Sequence, residues 1–183
     1  MNELYGFTRD IIKARYALRT PAGFVPSRLP GWTGAAGVVQ ISEGMGARFC
    51  QIAVNFEPGG EGRGNTGPIE YLVYVMAGEC RVELEGQSRI LIPGGFAYVP
   101  PGHDFQFSDP KGGGRLLIFQ KKFETLAGAR APGVILGNEH EVAGQPFLGN
   151  PDTRLQTLLP DQPEFDMAVN VFTFQPGATL PFV

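Results

Sequence analysis

Apolar and polar residues alternate along this chain in short stretches, and few stretches carry apolar residues every three or four positions for more than two turns. A strand is predicted over residues 35–41, then another over 48–56, where Phe49, Ile52, Val54 and Phe56 give a largely alternating pattern. The second should end at Glu57-Pro58-Gly59-Gly60, with a polar, Gly-rich loop over 59–67. Residues 69–77 are almost continuously apolar, as expected of a strand buried on both faces, and Gly78 closes it. Residues 79–85 alternate strictly: Cys80, Val82 and Leu84 on one face, Glu79, Arg81, Glu83 and Glu85 on the other. Shorter strands are predicted over 88–92, 96–99, 103–107 and 115–122, separated by Pro93-Gly94-Gly95, Pro100-Pro101-Gly102 and Gly112-Gly113-Gly114. Short strands at this spacing predict an all-β sandwich or barrel.

The pattern also divides the chain. Residues 1–34 read as an N-terminal arm, broken by Pro21-Ala22-Gly23 and Pro30-Gly31, with Trp32 anchoring it on the barrel. One barrel is predicted over 35–123, its core from about Arg48 to Lys122. Residues 124–151, rich in Gly, Ala and Pro, read as a linker with one short strand over 134–136. Beyond the linker an internal repeat emerges: Val54-Asn55-Phe56-Glu57-Pro58-Gly59 returns 118 positions later as Phe172-Thr173-Phe174-Gln175-Pro176-Gly177. Residues 152–183 thus read as the first strands of a second, incomplete barrel. Its Val169, Val171, Phe172 and Phe174 would lack a full partner sheet, an arrangement that favours strand exchange.

Composition narrows the partners. The 183 residues suit one full domain with a remainder, and 26 Gly with 16 Pro match a turn-rich β-protein. Fifteen Lys and Arg against eighteen Asp and Glu give a net charge of -3 with no basic stripe, which argues against nucleic acid. Residues 1–20 lack the apolar core of a signal peptide and no run reaches membrane-spanning length, so a cytoplasmic protein away from the membrane is expected. Cys50 and Cys80, 30 positions apart with no ligand neighbours, read as free thiols rather than a zinc site. The 59–67 loop has neither a following helix nor a Lys to hold phosphate, and Glu79, Glu83 and Glu85 read as a solvated strand face.

The order Pro-Gly, loop, buried strand, Gly-Glu, alternating strand, Pro-Gly-Gly, aromatic strand, Pro-Pro-Gly resembles the cupin superfamily, which implies a double-stranded β-helix, a jelly-roll-like barrel. Gly94, Pro100 and Gly102 fall in place in its second segment, but Phe105 stands at the metal-binding His position. Counting back from Gly78 through its first segment puts Tyr71 at the Glu position and Asn65 and Gly67, or their neighbours, at the two His positions. His103 with Glu70 would make a poor site, since a divalent ion needs three or four ligands to offset its desolvation. His140 has no chemical context. No metal ligand and no catalytic residue is assigned in this chain.

Four further stretches resemble the bicupin family of (S)-ureidoglycine aminohydrolases, also called glyoxylate-induced or allantoin-utilisation proteins. They are Ala17-Leu18-Arg19-Thr20-Pro21 with Leu29-Pro30-Gly31-Trp32; Met45-Gly46-Ala47-Arg48-Phe49; Glu70 to Gly78 with Tyr98-Val99-Pro100-Pro101-Gly102; and Phe165-Asp166-Met167 leading to Phe174-Gln175-Pro176-Gly177-Ala178. The resemblance implies purine and allantoin catabolism: a small ureido substrate, manganese in the C-terminal barrel, and replacement of the amino group of ureidoglycine by hydroxyl. The family's ligands lie in a Glu-Thr-His-x-x-Glu-His stretch after the second Pro-Gly-Ala, plus a later Gln, and this sequence stops at Val183, before that stretch. The chain is then expected to be the scaffold portion of such an enzyme, a homo-oligomer through its barrel and arm. The alternative is a metal-free cupin that binds a small ligand or a protein, with a barrel pocket lined by Tyr71, Val73, Tyr98 and Phe105.

Overall fold

Pro58 and Gly59 bend a strand where the sequence pattern predicts its end. In the computed structural model, which describes residues 10–13 and 16–180, one strand runs unbroken from Cys50 to Asn65 and takes in all but the last two residues of the expected 59–67 loop. Residues 1–9, 14–15 and 181–183, which include parts of the expected arm and of the expected second unit, lie outside the described residues. Fourteen strands are described: β1 (Ile11–Ile12), β2 (Ala17–Leu18), β3 (Trp32–Ile41), β4 (Cys50–Asn65), β5 (Ile69–Ala77), β6 (Cys80–Leu84), β7 (Gln87–Leu91), β8 (Gly95–Val99), β9 (Asp104–Asp109), β10 (Arg115–Lys122), β11 (Ile135–Asn138), β12 (Gln145–Phe147), β13 (Asn150–Thr157) and β14 (Asn170–Phe174).

The bend lets β4 serve two parts of one nearly closed, all-antiparallel sheet, a cupin β-barrel. Its first half pairs with β10, Val54 opposite Leu116, and its second half with β9, Gly62 opposite Phe107. The full order is β11-β8-β5-β10-β4-β9-β6-β7, with β3 lying along β4 on its other edge. Gly59 takes the left-handed conformation (φ 73°), which an L side chain resists, so the corner is built from the Pro-Gly pair itself. The corner rests on the Gly-rich 112–114 turn: the Phe56 N–H donates to Gly114 O at 2.9 Å, and a side chain at Gly112 would strike Pro58. That turn is held by buried Asp109, which accepts from the N–H groups of Lys111, Gly112 and Gly114 at 3.1, 2.9 and 2.6 Å.

Two cores follow from the two faces of β5. Inward, Val73 and Val75 pack with Ile52, Val54, Val82, Ala97, Leu116 and Ile118. Outward, Leu72 and Tyr74 pack with Phe96 and Tyr98 of β8 under Leu158, Leu159, Phe165 and Met167 from the chain after β13. The continuous apolar run over 69–77 is thus explained, because the barrel wall is covered again from outside. Strict alternation in β6 holds as predicted: Cys80, Val82 and Leu84 are buried, Arg81 and Glu83 exposed.

The segment read as a linker is more structured than its composition predicts. Its strand is Ile135–Asn138, and β11 extends the barrel sheet by pairing with β8, Leu136 opposite Ala97. A second, three-stranded sheet lies beyond it, β12-β13-β14. Gly177, the counterpart of Gly59 in the repeat, is likewise left-handed (φ 85°). The arm lies on β3: Ser27 bridges to Gly37, Leu29 sits over Gly37, and the Arg19 guanidinium, paired with Asp10 at 2.8 Å, donates to Gln40 O at 3.2 Å. The Trp32 ring covers Gly62 and packs on Phe56 and Phe107, so it fastens the arm to the barrel as expected.

Candidate functional site

The four residues read as lining one pocket are split between the two faces of the barrel wall. Tyr71, Val73 and Phe105 point inward, where Val73 is fully buried; Tyr98, opposite Leu72 on β5, points outward into the second core. The alternation of β5 and β8 forces this split, since Tyr71 stands opposite Val99 and one residue along the strand changes face.

Inward, aromatic rings fill the barrel. Tyr71 packs on Phe105 (5.3 Å between ring centres), Phe105 stacks on Phe107 (5.0 Å), and Phe107 meets Trp32 (6.1 Å), which stacks on Phe56 (5.7 Å). Two of these rings stand at the positions where the cupin pattern has its Glu and its second-segment His. The other two positions are used to hold the chain. The Asn65 amide donates to Asp104 Oδ1 at 2.7 Å and accepts from the Gly67 N–H at 2.8 Å, while the hydroxyl of neighbouring Thr66 donates to Pro100 O at 2.7 Å and accepts from the His103 N–H at 2.9 Å. The two segments that carry ligands in the cupin pattern are therefore joined here by hydrogen bonds. No group of three His, Cys, Asp or Glu side chains suited to a metal ion occurs among the described residues.

His103 and Glu70 are not brought together. The His103 ring lies 3.2 Å from Glu85 through Nε2 and 3.0 Å from Pro101 O through Nδ1. An open cleft of about 610 Å³ beside β6 and β9 is lined by Arg63, Glu83, Glu85, Asp104, Phe105 and Gln106, without His103. His140 is exposed, 3.9 Å from Glu139. Both cysteines are free, and burial pushes the Cys80 thiol up to about 12 and raises that of Cys50, so neither is poised as a thiolate.

Outward, a cluster of ionisable groups lies under the second core. Glu70, the second residue of β5, is fully buried; β10 sets Lys121 directly opposite it, and β8 sets Tyr98 diagonally beyond. The Tyr98 hydroxyl donates to Glu70 Oε2 at 2.7 Å. Asp166, from the chain between β13 and β14, closes the cluster: its Oδ2 accepts from the Lys121 ammonium and from the Glu124 N–H at 2.7 Å. Burial and the neighbouring Asp166 push the Glu70 carboxyl up to about 8. Burial also raises the Tyr98 hydroxyl. Clefts of about 440 Å³ and 290 Å³ open on either side, the first lined by Phe165 and Asp166, the second by Phe119, Lys121 and Met167. In the sequence Glu70 reads as a possible partner for His103 and as the start of one family-like stretch, not as part of a charged cluster. A better signal was available: a carboxylate inside a strand read as buried on both faces requires a partner, and Lys121 breaks another apolar strand in the same way.

Residues 46–109 match the EutQ-like cupin domain. The chain is 27% identical to the (S)-ureidoglycine aminohydrolase of Escherichia coli K12 over its whole length, spanning 74% of that protein. It is 30% identical over 98% of its length to a probable (S)-ureidoglycine aminohydrolase of Oryza sativa subsp. japonica and spans 58% of it. The crystal structure of protein Ylba from E. coli superposes with a TM-score of 0.82 at 27% identity, over 94% of this chain and 69% of that one.

Proposed function

From a chain that belongs to the cupin superfamily and is similar along almost its whole length to (S)-ureidoglycine aminohydrolases, we propose the scaffold portion of a manganese-dependent enzyme of that activity. The reaction would exchange the amino group of ureidoglycine for hydroxyl, releasing ammonia and leaving ureidoglycolate. The filled barrel interior carries this reading. Rings from Tyr71, Phe105, Phe107, Trp32 and Phe56 pack on one another in its core, and the cupin ligand positions hold Tyr71, Phe105, Asn65 and Gly67.

The described residues do not fit a manganese ion: three or four N or O ligands must converge on one, and the described side chains offer no such group. No step of the reaction is therefore routed through this barrel. Its work would be to present a rigid outer wall, Leu72, Phe96 and Tyr98, to the chain beyond it. The rest of the proposal, a homo-oligomer packed through barrel and arm and acting in the cytoplasm on a small ureido compound, goes with the family reading. Among the described residues no helix is long and apolar enough to cross a membrane.

The test is ammonia release from (S)-ureidoglycine together with metal analysis. The 183-residue polypeptide, supplied with Mn²⁺, should hold far less than one ion per chain and release no ammonia above background. Joined to the C-terminal barrel of the E. coli relative, it should bind one ion and turn over. Stoichiometric manganese and turnover by the 183 residues alone would overturn the scaffold reading.

A further inference from the structure

Two carboxylates cannot hydrogen-bond each other, because both only accept; a bond forms once one of them carries a proton and donates it. Glu70 Oε1 and Asp166 Oδ1 are both buried and neither finds a hydrogen-bond donor, and the two carboxyl groups lie close enough to influence each other. Their other oxygens are committed, Glu70 Oε2 to the Tyr98 hydroxyl and Asp166 Oδ2 to Lys121 and the Glu124 N–H. We propose that Glu70 holds a proton on Oε1 and donates it to Asp166 Oδ1, and that this shared proton is a pH-sensitive latch fastening residues 158–169 to the outer wall of the barrel.

The surroundings decide which carboxyl keeps the proton. Asp166 faces the ammonium of Lys121 and a backbone N–H, both of which favour its charged form. Glu70 is fully buried, and the Lys121 nitrogen, drawn toward Asp166, stays 3.6 Å from its Oε1. Tyr98 from β8, Lys121 from β10 and Asp166 from the covering segment are the ionisable groups that face Glu70; the nearby Tyr74 hydroxyl donates instead to Glu139 at 2.7 Å. Each bond in the set crosses between the barrel wall and Asp166 or holds Glu70 in place for it. Beside it, Leu158 and Leu159 cover Leu72 and Tyr98, so a force that parts the carboxyls acts on the apolar seal as well.

The two shifts set the direction with pH. The Glu70 value, about 8, lies above its ordinary 4.5, so the stability it contributes is full below 4.5 and is lost as pH rises through about 8. For Asp166, burial raises the value but the bonds from Glu70, Lys121 and the Glu124 N–H outweigh it, leaving it below the ordinary 3.8; its contribution is present above 3.8 and lost as pH falls through the lowered value. The latch is therefore tightest in mild acid and loosens toward pH 8. Because the pair titrates as a unit, the loosening belongs to the loss of its last proton.

Amide exchange of the full chain tests this at the Leu158 N–H, bonded to Val169 O at 2.8 Å, and the Phe165 N–H, bonded to Gln162 O at 3.1 Å. After correction for intrinsic rates, their protection should fall by at least about tenfold between pH 6 and 8, the factor one released proton gives per pH unit. The Ile118 amide in the barrel ladder should not change with it. In Glu70→Gln the amide still donates to Asp166 and its carbonyl still accepts from Tyr98, so protection should stay flat with pH. A flat wild-type profile, or an unchanged fall in E70Q, overturns the latch. Should E70Q fail to fold, the carboxyl ¹³C titration of Glu70 in the wild type decides: a midpoint about two units or more above the ordinary glutamate range supports it, and an ordinary midpoint overturns it.

Discussion

At the scale of single residues, the barrel is specified by rings and by the small residues that make room for them. Trp32 covers Gly62, where any side chain would overlap the indole, and bridges Phe56 to Phe107. Trp32→Ala should lower unfolding free energy by about 3 kcal/mol, the usual cost of removing a packed aromatic. Gly62→Ala leaves every ring present and adds one methyl where there is no space; it should cost about 1–3 kcal/mol by overpacking. Urea denaturation of both variants is the measurement. A neutral G62A would mean that the indole moves aside freely and that its fit on Gly62 is not what joins arm to barrel.

At the scale of elements, legibility tracked burial. Strands with one wet face, such as Cys80–Leu84, were readable from alternation, and Ile69–Ala77 from its unbroken apolar run. Three features escape the sequence pattern for physical reasons. Pro58-Gly59 has the chemistry of a strand end, and only the distant pairing with β9 and the fit against Gly112–Gly114 turn it into a corner within β4. Tyr98 reads from the sequence as lining one pocket with Tyr71, Val73 and Phe105, whereas the pairing register, which decides the face, is set between strands. The Glu70–Asp166 contact joins residues 96 positions apart and was equally out of reach. The corner makes its own prediction. Asp109 alone gathers three N–H groups of the 111–114 turn, and Asp109→Ala would leave the buried Gly114 N–H and two half-buried ones unpaired. Its loss should cost about 2–4 kcal/mol, since unmet buried donors cost more than a bond contributes. Thermal unfolding checks this, and a change within error would mean that water takes over the donors.

For the whole molecule, the question is whether the chain after the barrel is an appendage or part of its wall. The apolar cover favours the second. Leu72 and Tyr98 are fully buried and Phe96 nearly so, and their cover comes largely from Leu158, Leu159, Phe165 and Met167, all beyond β11, the last strand of the barrel sheet. Removing that cover exposes three large side chains on one face, a patch of the kind that drives association. A polypeptide ending at Asn138 keeps every strand of the barrel sheet, β11 included, and so keeps the conditions for folding the inner core. It should unfold at a lower temperature than the full chain, bind a hydrophobic dye, and self-associate in light scattering. If it matches the full chain in melting temperature and stays monomeric, the two sheets are independent and the outer face of β5 and β8 tolerates water. A wall that is complete only when its cover is seated couples the barrel to whatever the covering chain carries, and Glu70 sits at that seam.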